Sequence, residues 1–142
     1  MKKLILSAFA ITLASCGATS SKISDTSKLY EVLTQQSNGG ANIRFFEILS
    51  EPNEIKMLQN DENLKDKISA TDIQNSNFIV LNMGEKTTGG YSIGIENIVE
   101  TDKNVIITVK ETSPEPGSMV TQAFTTPFCV VKINSKKQII IK

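Results

Sequence analysis

The sequence predicts a mainly β fold of the α+β class, arranged as a small two-sheet sandwich or a partly closed barrel. It contains seven or eight short stretches of branched and aromatic residues, each bounded by turn residues. Several stretches alternate apolar and polar side chains, which is typical of strands with one buried face. A single stretch carries a clear helix signal, so one helix is expected.

The first 15 residues have the pattern of a bacterial lipoprotein signal peptide. Lys2 and Lys3 give a basic start, and the apolar run 4–13 is too short to span a bilayer. The run ends in Leu-Ala-Ser-Cys, which resembles a lipobox, with Cys16 as the lipidated residue. The alternative is an ordinary secretory cleavage site with an incidental cysteine. The lipobox predicts a palmitate-bearing protein anchored in the membrane by its N-terminus, outside the cytoplasm in the cell envelope.

Residues 16–27 are expected to form a flexible tether. They are small and polar and bury too little apolar surface to offset the entropy that ordering costs. Removing 15 residues from the 142-residue chain leaves 127. Residues 28–142 are therefore expected to form a single domain with its own core.

The helix signal begins at residue 50. Ser50 is a suitable cap, Pro52 fits the first turn, and Glu54 suits the positive end of the helix. The helix is predicted to stop near Asn60. Residues 63–69 leave open whether another helical turn follows.

Strands account for the other apolar stretches. Turn residues at 101–104 predict a hairpin, and those at 134–137 predict a second hairpin between the last two strands. The predicted strands are 29–34, 43–49, 78–83, 91–100, 105–109, 127–133 and 138–142.

Two strands indicate which of their faces are buried. The run 78–83 is apolar almost throughout, which favours burial on both faces. Tyr91, Ile93, Ile95 and Val99 alternate with polar or small residues and are expected to share one inward face.

The composition argues against catalysis. The chain has no histidine, which removes the commonest general base and the commonest metal ligand. With Cys16 lipidated, Cys129 is the remaining thiol. It shares a strand face with Val131 and Ile133 and is expected to be buried and inert. We therefore expect no enzyme, no metal and no cofactor.

The charges argue against nucleic acid as a partner. Of 15 basic residues two lie in the signal peptide, so 13 basic residues face 15 acidic ones afterwards. Asp61, Glu62 and Asp66 lack the spacing of a calcium loop and fit a solvated surface.

The stretch 86–91, Lys-Thr-Thr-Gly-Gly-Tyr, lies between two predicted strands. It is not a phosphate loop, because the first glycine of that motif is missing and a strand follows instead of a helix. A hairpin turn would explain the glycines alone. Two neighbouring loops, 113–118 and 125–128, are stiffened by prolines, which suits presentation to a partner. The candidate partner-binding residues are Thr87, Thr88, Gly89, Gly90, Pro114, Gly117, Pro127 and Phe128.

These motifs carry a family resemblance. Residues 84–93, the strand 105–109, Pro114, Gly117, residues 120–123 and Pro127-Phe128 resemble the PrcB-like protease-complex-subunit domain, over about residues 75–133. The resemblance implies a secreted protein or lipoprotein that is an accessory of a cell-surface protease and not itself an enzyme. Cys129 departs from the family pattern.

A weaker similarity links Thr87-Thr88-Gly89-Gly90-Tyr91 to the chagasin-type inhibitors of cysteine proteases, which present a Thr-Thr-Gly-aromatic loop. Their third loop usually carries arginine before Pro-aromatic, and Thr126 stands there in this chain. The sequence therefore favours a lipid-anchored protein-binding module, an assembly subunit of a secreted or surface protease. A protease inhibitor and a structural envelope lipoprotein remain the alternatives.

Overall fold

The computed structural model describes residues 29–142. The predicted signal peptide, Cys16 and the tether lie outside the described residues. The described chain forms seven strands and two α-helices, with a 3₁₀ turn at Lys65–Lys67. In chain order they are β1 Tyr30–Gln36, β2 Arg44–Leu49, α1 Pro52–Leu58, α2 Ala70–Asn75, β3 Asn77–Met83, β4 Ser92–Glu100, β5 Asn104–Thr112, β6 Phe128–Ile133 and β7 Gln138–Ile141.

The strands form two sheets, which confirms the predicted sheet-rich sandwich; neither sheet closes into a barrel. The first sheet has the order β1-β6-β3-β2 and is antiparallel throughout. The second sheet has the order β4-β5-β7, in which β4 and β5 are antiparallel and β5 and β7 parallel.

The described residues form two apolar cores, one on each face of the first sheet. The core between the sheets contains Ile79 and Leu81 of β3 and Val105 and Ile107 of β5. The second core lies between the first sheet and the two helices, with Phe78 of β3 packed against residues such as Ile55. Strand β3 is thus buried on both faces, as its unbroken apolar run predicted.

Helix α1 confirms the predicted helix, with a small shift at its start. Its cap is Glu51 rather than Ser50, because Glu51 and Glu54 form a capping box, and Pro52 begins the helix. Helix α2 was not predicted. Ser69 caps it by accepting a hydrogen bond from the Asp72 N–H, and the Asp72 carboxylate accepts one from the Ser69 N–H.

Lys132 of β6 ties α2 to the first sheet. Its ammonium lies 2.9 Å from the Glu31 carboxylate and 3.3 Å from that of Asp72. Burial opposes ionisation of Asp72, but hydrogen bonds from Ser69 and the Lys132 charge outweigh it and lower the pKa of Asp72. Burial likewise opposes the charge of Lys132, but its two carboxylate partners outweigh it and raise the Lys132 pKa.

The face predicted for β4 is wrong at its C-terminal half. A bulge between Ile95 and Asn97 shifts the pairing with β5. The extra residue reverses which side chains point inward. Ile98 is therefore buried, and Val99, predicted to point inward, is exposed.

The predicted second hairpin is also wrong. Strand β6 pairs with β1 on one side and β3 on the other, so both of its edges are occupied. The chain therefore crosses over after β6, and β7 joins the second sheet beside β5. The hairpin predicted at 101–104 is present, where Thr101 and Asn104 are hydrogen-bonded across the turn.

Candidate binding surface at one end of the sandwich

Three loops meet at one end of the sandwich. Strands β1, β3 and β5 end there, and β2, β4 and β6 begin there. We call this region the loop end. It consists of a first loop, 37–43, a second loop, 84–91, and a third loop, 113–127.

The second and third loops are joined by backbone and side-chain hydrogen bonds. Lys86 and Thr125 exchange two backbone hydrogen bonds, of 2.8 and 2.9 Å. Further along, the Gly89 N–H donates to the Thr121 carbonyl at 2.9 Å. The Thr125 hydroxyl donates to the Thr88 carbonyl at 2.8 Å. The Thr-Thr-Gly-Gly stretch is therefore held in place by the third loop along its length.

The first loop is joined to the third through Thr126. The Gly40 N–H donates to the Thr126 carbonyl at 3.0 Å, and the Thr126 N–H donates to the Ser37 carbonyl at 3.1 Å. The Thr126 hydroxyl accepts a further hydrogen bond from the Gly39 N–H at 3.1 Å. These bonds fix the three loops as one unit.

Asn82 of β3 anchors the first loop from below. Its side chain is buried, and its carbonyl oxygen accepts from the Ala41 N–H at 3.0 Å. Its amide nitrogen donates to the carbonyls of Ala41 and Ile43. One buried side chain thus satisfies three backbone groups of a loop that has no regular structure of its own.

Gly90 is required by both backbone and packing. Its φ is +87°, a conformation that favours glycine. A Cβ there would lie 2.8 Å from the Pro114 Cβ and 3.1 Å from Val120 Cγ1. Gly89 has no positive φ, but its position would bring a Cβ to 3.3 Å from the Thr121 Cβ. Gly90 therefore allows the second loop to pack closely against the third.

The third loop begins with a tight turn at Pro116-Gly117. The Ser118 N–H donates to the Glu115 carbonyl at 3.0 Å, and Gly117 has φ +80°. Proline followed by a positive-φ glycine is the pattern of a type II turn. The positive φ that this turn requires explains why a glycine occupies position 117.

The predicted contact residues differ in how far they reach the surface. Thr87 is exposed and Thr88 is half-buried. Pro127 is fully buried, so its side chain does not form part of the surface. Phe128 is half-buried and packs against the second core.

Three exposed apolar side chains at the loop end were missed by the sequence reasoning. In the third loop, Met119 is fully exposed and Phe124 is 68% exposed. In the first loop, Ile43 is 73% exposed. For Met119 and Phe124 the available signal was an apolar residue inside a long stretch of turn residues, outside every predicted strand and helix. Ile43 was predicted as the first residue of a strand and instead lies just before it.

Among residues 29–142 no cluster of cysteine and carboxylate side chains is grouped so as to hold a metal ion. Burial raises the pKa of the Cys129 thiol to about 11, so the thiol is protonated and poorly nucleophilic at neutral pH. No helix between residues 29 and 142 has the length and apolar character to cross a membrane.

The fold and the joined loops define the described chain as a β-sandwich domain with a structured loop surface at one end. Residues 77–134 match the family model described as PrcB C-terminal, which confirms the resemblance seen in the sequence. The match runs from β3 to just after β6 and includes the second and third loops. The family is one of accessory subunits rather than enzymes. No curated protein and no solved structure matches the chain.

Proposed function

We propose that the protein is a lipid-anchored accessory subunit of the bacterial cell envelope that binds another protein, such as a secreted or surface protease, through its loop end. The family match supports a protein partner and an association with a protease complex. In this proposal the domain carries out no catalysis itself.

The observation that carries the proposal is the exposure of Met119 and Phe124 on a loop whose backbone is fixed. Exposed apolar side chains cost little to bury against a partner when the loop that carries them is already ordered. The third loop is ordered by its bonds to Lys86, Gly89 and the first loop. Methionine and aromatic side chains are also enriched at protein interfaces.

The position at which the described chain begins supports a loop end that faces away from the membrane. Tyr30, at the start of β1, pairs with Ile133, at the end of β6. The loop end lies at the other end of these strands, beside Phe128. A lipid on Cys16 would therefore hold the domain by the end opposite to its binding surface.

A protease inhibitor is the second candidate, because three adjacent loops are the arrangement that such an inhibitor would need. Thr87 is exposed as a contact residue in that arrangement. The burial of Pro127 weighs against it, since the Thr126-Pro127-Phe128 segment is then not free to enter a protease active site. We therefore prefer a binding role to occlusion.

The test compares two variants of the full acylated chain in its own envelope. The double variant Met119→Ser/Phe124→Ser removes the exposed apolar side chains of the third loop, and Val99→Ser removes one from the outer face of the second sheet. Partners are recovered by affinity capture after mild cross-linking and quantified by mass spectrometry. We expect the double variant to lose at least tenfold in recovery of specific partners and Val99→Ser to match the wild type.

Equal recovery by the double variant and the wild type, with equal melting temperatures, would refute the loop end as the binding surface. Inhibition of a papain-like protease by the wild type, abolished by Thr87→Ala, would instead establish the inhibitor function.

Membrane association is tested separately with Cys16→Ser, which should move the protein to the soluble fraction.

A further inference from the structure

Strand β2 is an open edge of the first sheet. It pairs with β3 in an unbroken register of six residue pairs, and among the described strands none pairs with its other edge. An open edge offers unpaired backbone N–H and C=O groups to any extended chain.

The other described sheet edges carry features that oppose strand addition. Strand β1 has a register shift between Val32 and Thr34, and β4 has one between Ile95 and Asn97. Strand β7 is four residues long. Bulges and short length are the usual protections of an edge. Strand β2 has six residues and neither a bulge nor a proline.

Apolar surface remains uncovered on both sides of β2. On the side of the second sheet, Ile48 is 38% exposed. On the helix side, a groove of about 310 Å³ is lined in part by Phe45 of β2 and Met57 of α1. A second groove of about 210 Å³, which shares Met57, continues along β2 to Leu49. A strand added beside β2 would lie against Ile48 on one face and against the β2 side of the grooves on the other.

The charge pattern on the helix side restricts what such a strand can be. Phe45, Glu47 and Leu49 alternate on the groove side of β2. Glu54 and Asp61 add two more carboxylates to the groove walls. Among the described residues, no lysine or arginine lines either groove. None of these three carboxylates forms an ion pair within residues 29–142.

We propose that β2 binds an extended segment of a partner protein by strand addition, and that the segment places a lysine or arginine between two apolar side chains on its groove face. Side chains directly opposite each other on neighbouring strands interact, so the cation would lie opposite Glu47 and the apolar residues opposite Phe45 and Leu49. Self-pairing of β2 centred on Glu47 would set two glutamates opposite each other, which disfavours a second copy as the occupant. This site is separate from the loop end.

The test uses a fluorescein-labelled peptide, Thr-Leu-Thr-Lys-Thr-Leu-Thr, titrated with the full chain and followed by fluorescence anisotropy. Its two leucines and its lysine lie on one face of an extended strand. A matched peptide has glutamate in place of the lysine, and a third has proline in place of the two central threonines, which removes backbone donors. We expect saturable binding of the lysine peptide and at least tenfold weaker binding of the other two.

Charge reversal on the protein provides the decisive comparison. Glu47→Lys should reverse the preference, so that the glutamate peptide binds better than the lysine peptide, and Glu47→Gln should remove the preference. Glu96→Lys, an exposed change on β4, is the matched control and should behave as the wild type. Met119→Ser/Phe124→Ser should also bind the peptide normally, which separates this site from the loop end.

Three results would overturn the proposal. They are absence of saturable binding to the wild type, equal binding of the proline peptide, and an unchanged preference in a folded Glu47→Lys variant. Melting curves establish that each variant is folded, and Glu47→Gln provides the comparison if Glu47→Lys does not fold. A dimer in sedimentation equilibrium, without peptide binding, would assign the β2 edge to a second copy instead.

Discussion

Asn82 is expected to determine whether the loop end is ordered. Its side chain is buried and makes three hydrogen bonds to the first loop, one from the Ala41 N–H and one each to the carbonyls of Ala41 and Ile43. Each such bond contributes about 0.5–1.5 kcal/mol net, so Asn82→Leu, which keeps the volume but makes none of them, should lower the unfolding free energy by about 2–4 kcal/mol. Urea denaturation of the full chain, followed by circular dichroism, measures this change.

Asn82→Asp refines the prediction. The aspartate would still accept from the Ala41 N–H but would direct a buried carboxylate at two backbone carbonyls. It should therefore destabilise the fold at neutral pH more than Asn82→Leu does, and recover partly in acid as the carboxylate is protonated. Asn97→Asp, an exposed change on β4, is the control and should stay within about 0.5 kcal/mol of the wild type. Equal unfolding free energies for Asn82→Leu and the wild type would refute the anchoring role.

Three further predictions follow from the structure. Gly90→Ala adds a steric clash to an unfavourable φ and should lower the unfolding free energy by about 1–3 kcal/mol in a thermal melt. Gly117→Ala has the same unfavourable φ but no atom within 4 Å of the added Cβ, so it should destabilise the fold less. Equal losses of stability in the two variants would contradict the clash. The Cys129 thiol, with its pKa raised to about 11, should resist a thiol reagent at about pH 8 and react when the chain is unfolded in guanidinium. In a chain lipidated at Cys16, the reagent should then titrate one thiol per chain. Fast reaction in the folded state would contradict the burial of Cys129. The pKa of Asp72 in the folded state lies below 3.8, so its contribution to stability is present above pH 3.8 and is lost as the pH falls through the folded pKa. Asp72→Asn should therefore flatten the decline of the urea midpoint between about pH 5 and pH 2. An unchanged decline would contradict this.

The strands were predictable where one physical signal dominated. The unbroken apolar run of β3 required burial on two faces, and its place in the centre of the first sheet supplies them. The turn residues at 101–104 predicted that β4 and β5 pair, and the structure shows them as an antiparallel pair. Capping chemistry placed the start of α1 to within one residue, and the helix ends at Leu58 rather than near Asn60.

The errors in the strands have one cause, which is that strand pairing depends on residues distant in sequence. Strand β6 is adjacent to β7 in the chain, but its two edges are filled by β1 and β3, which local turn signals cannot reveal. The bulge in β4 is a feature of its pairing with β5, so the alternation of apolar and polar residues along β4 could not predict that Val99 faces outward. Helix α2 is different, because Ser69 and Asp72 form a capping box that the sequence does display.

The candidate site was only partly predictable, because it too depends on contacts between residues distant in sequence. The Thr-Thr-Gly-Gly stretch and the proline-rich loop were identified from composition, and the structure brings them together at one end. Their individual roles depend on the folded structure, in which Pro127 is buried and Met119 and Phe124 are exposed. Apolar residues in a loop predict neither burial nor exposure until the neighbouring loops are known.

The two proposed surfaces differ in their relation to the family match. The second and third loops lie inside the matched segment 77–134, and strand β2 lies outside it. Because β2 pairs with β3, the first strand of that segment, the β2 edge is directly attached to the matched segment. We therefore expect that a chimera carrying the corresponding segment of another protein that matches this family model would retain the charge preference of the β2 edge while changing the partners bound at the loop end. If peptide preference changed with the loops, the two surfaces would have to be regarded as a single site.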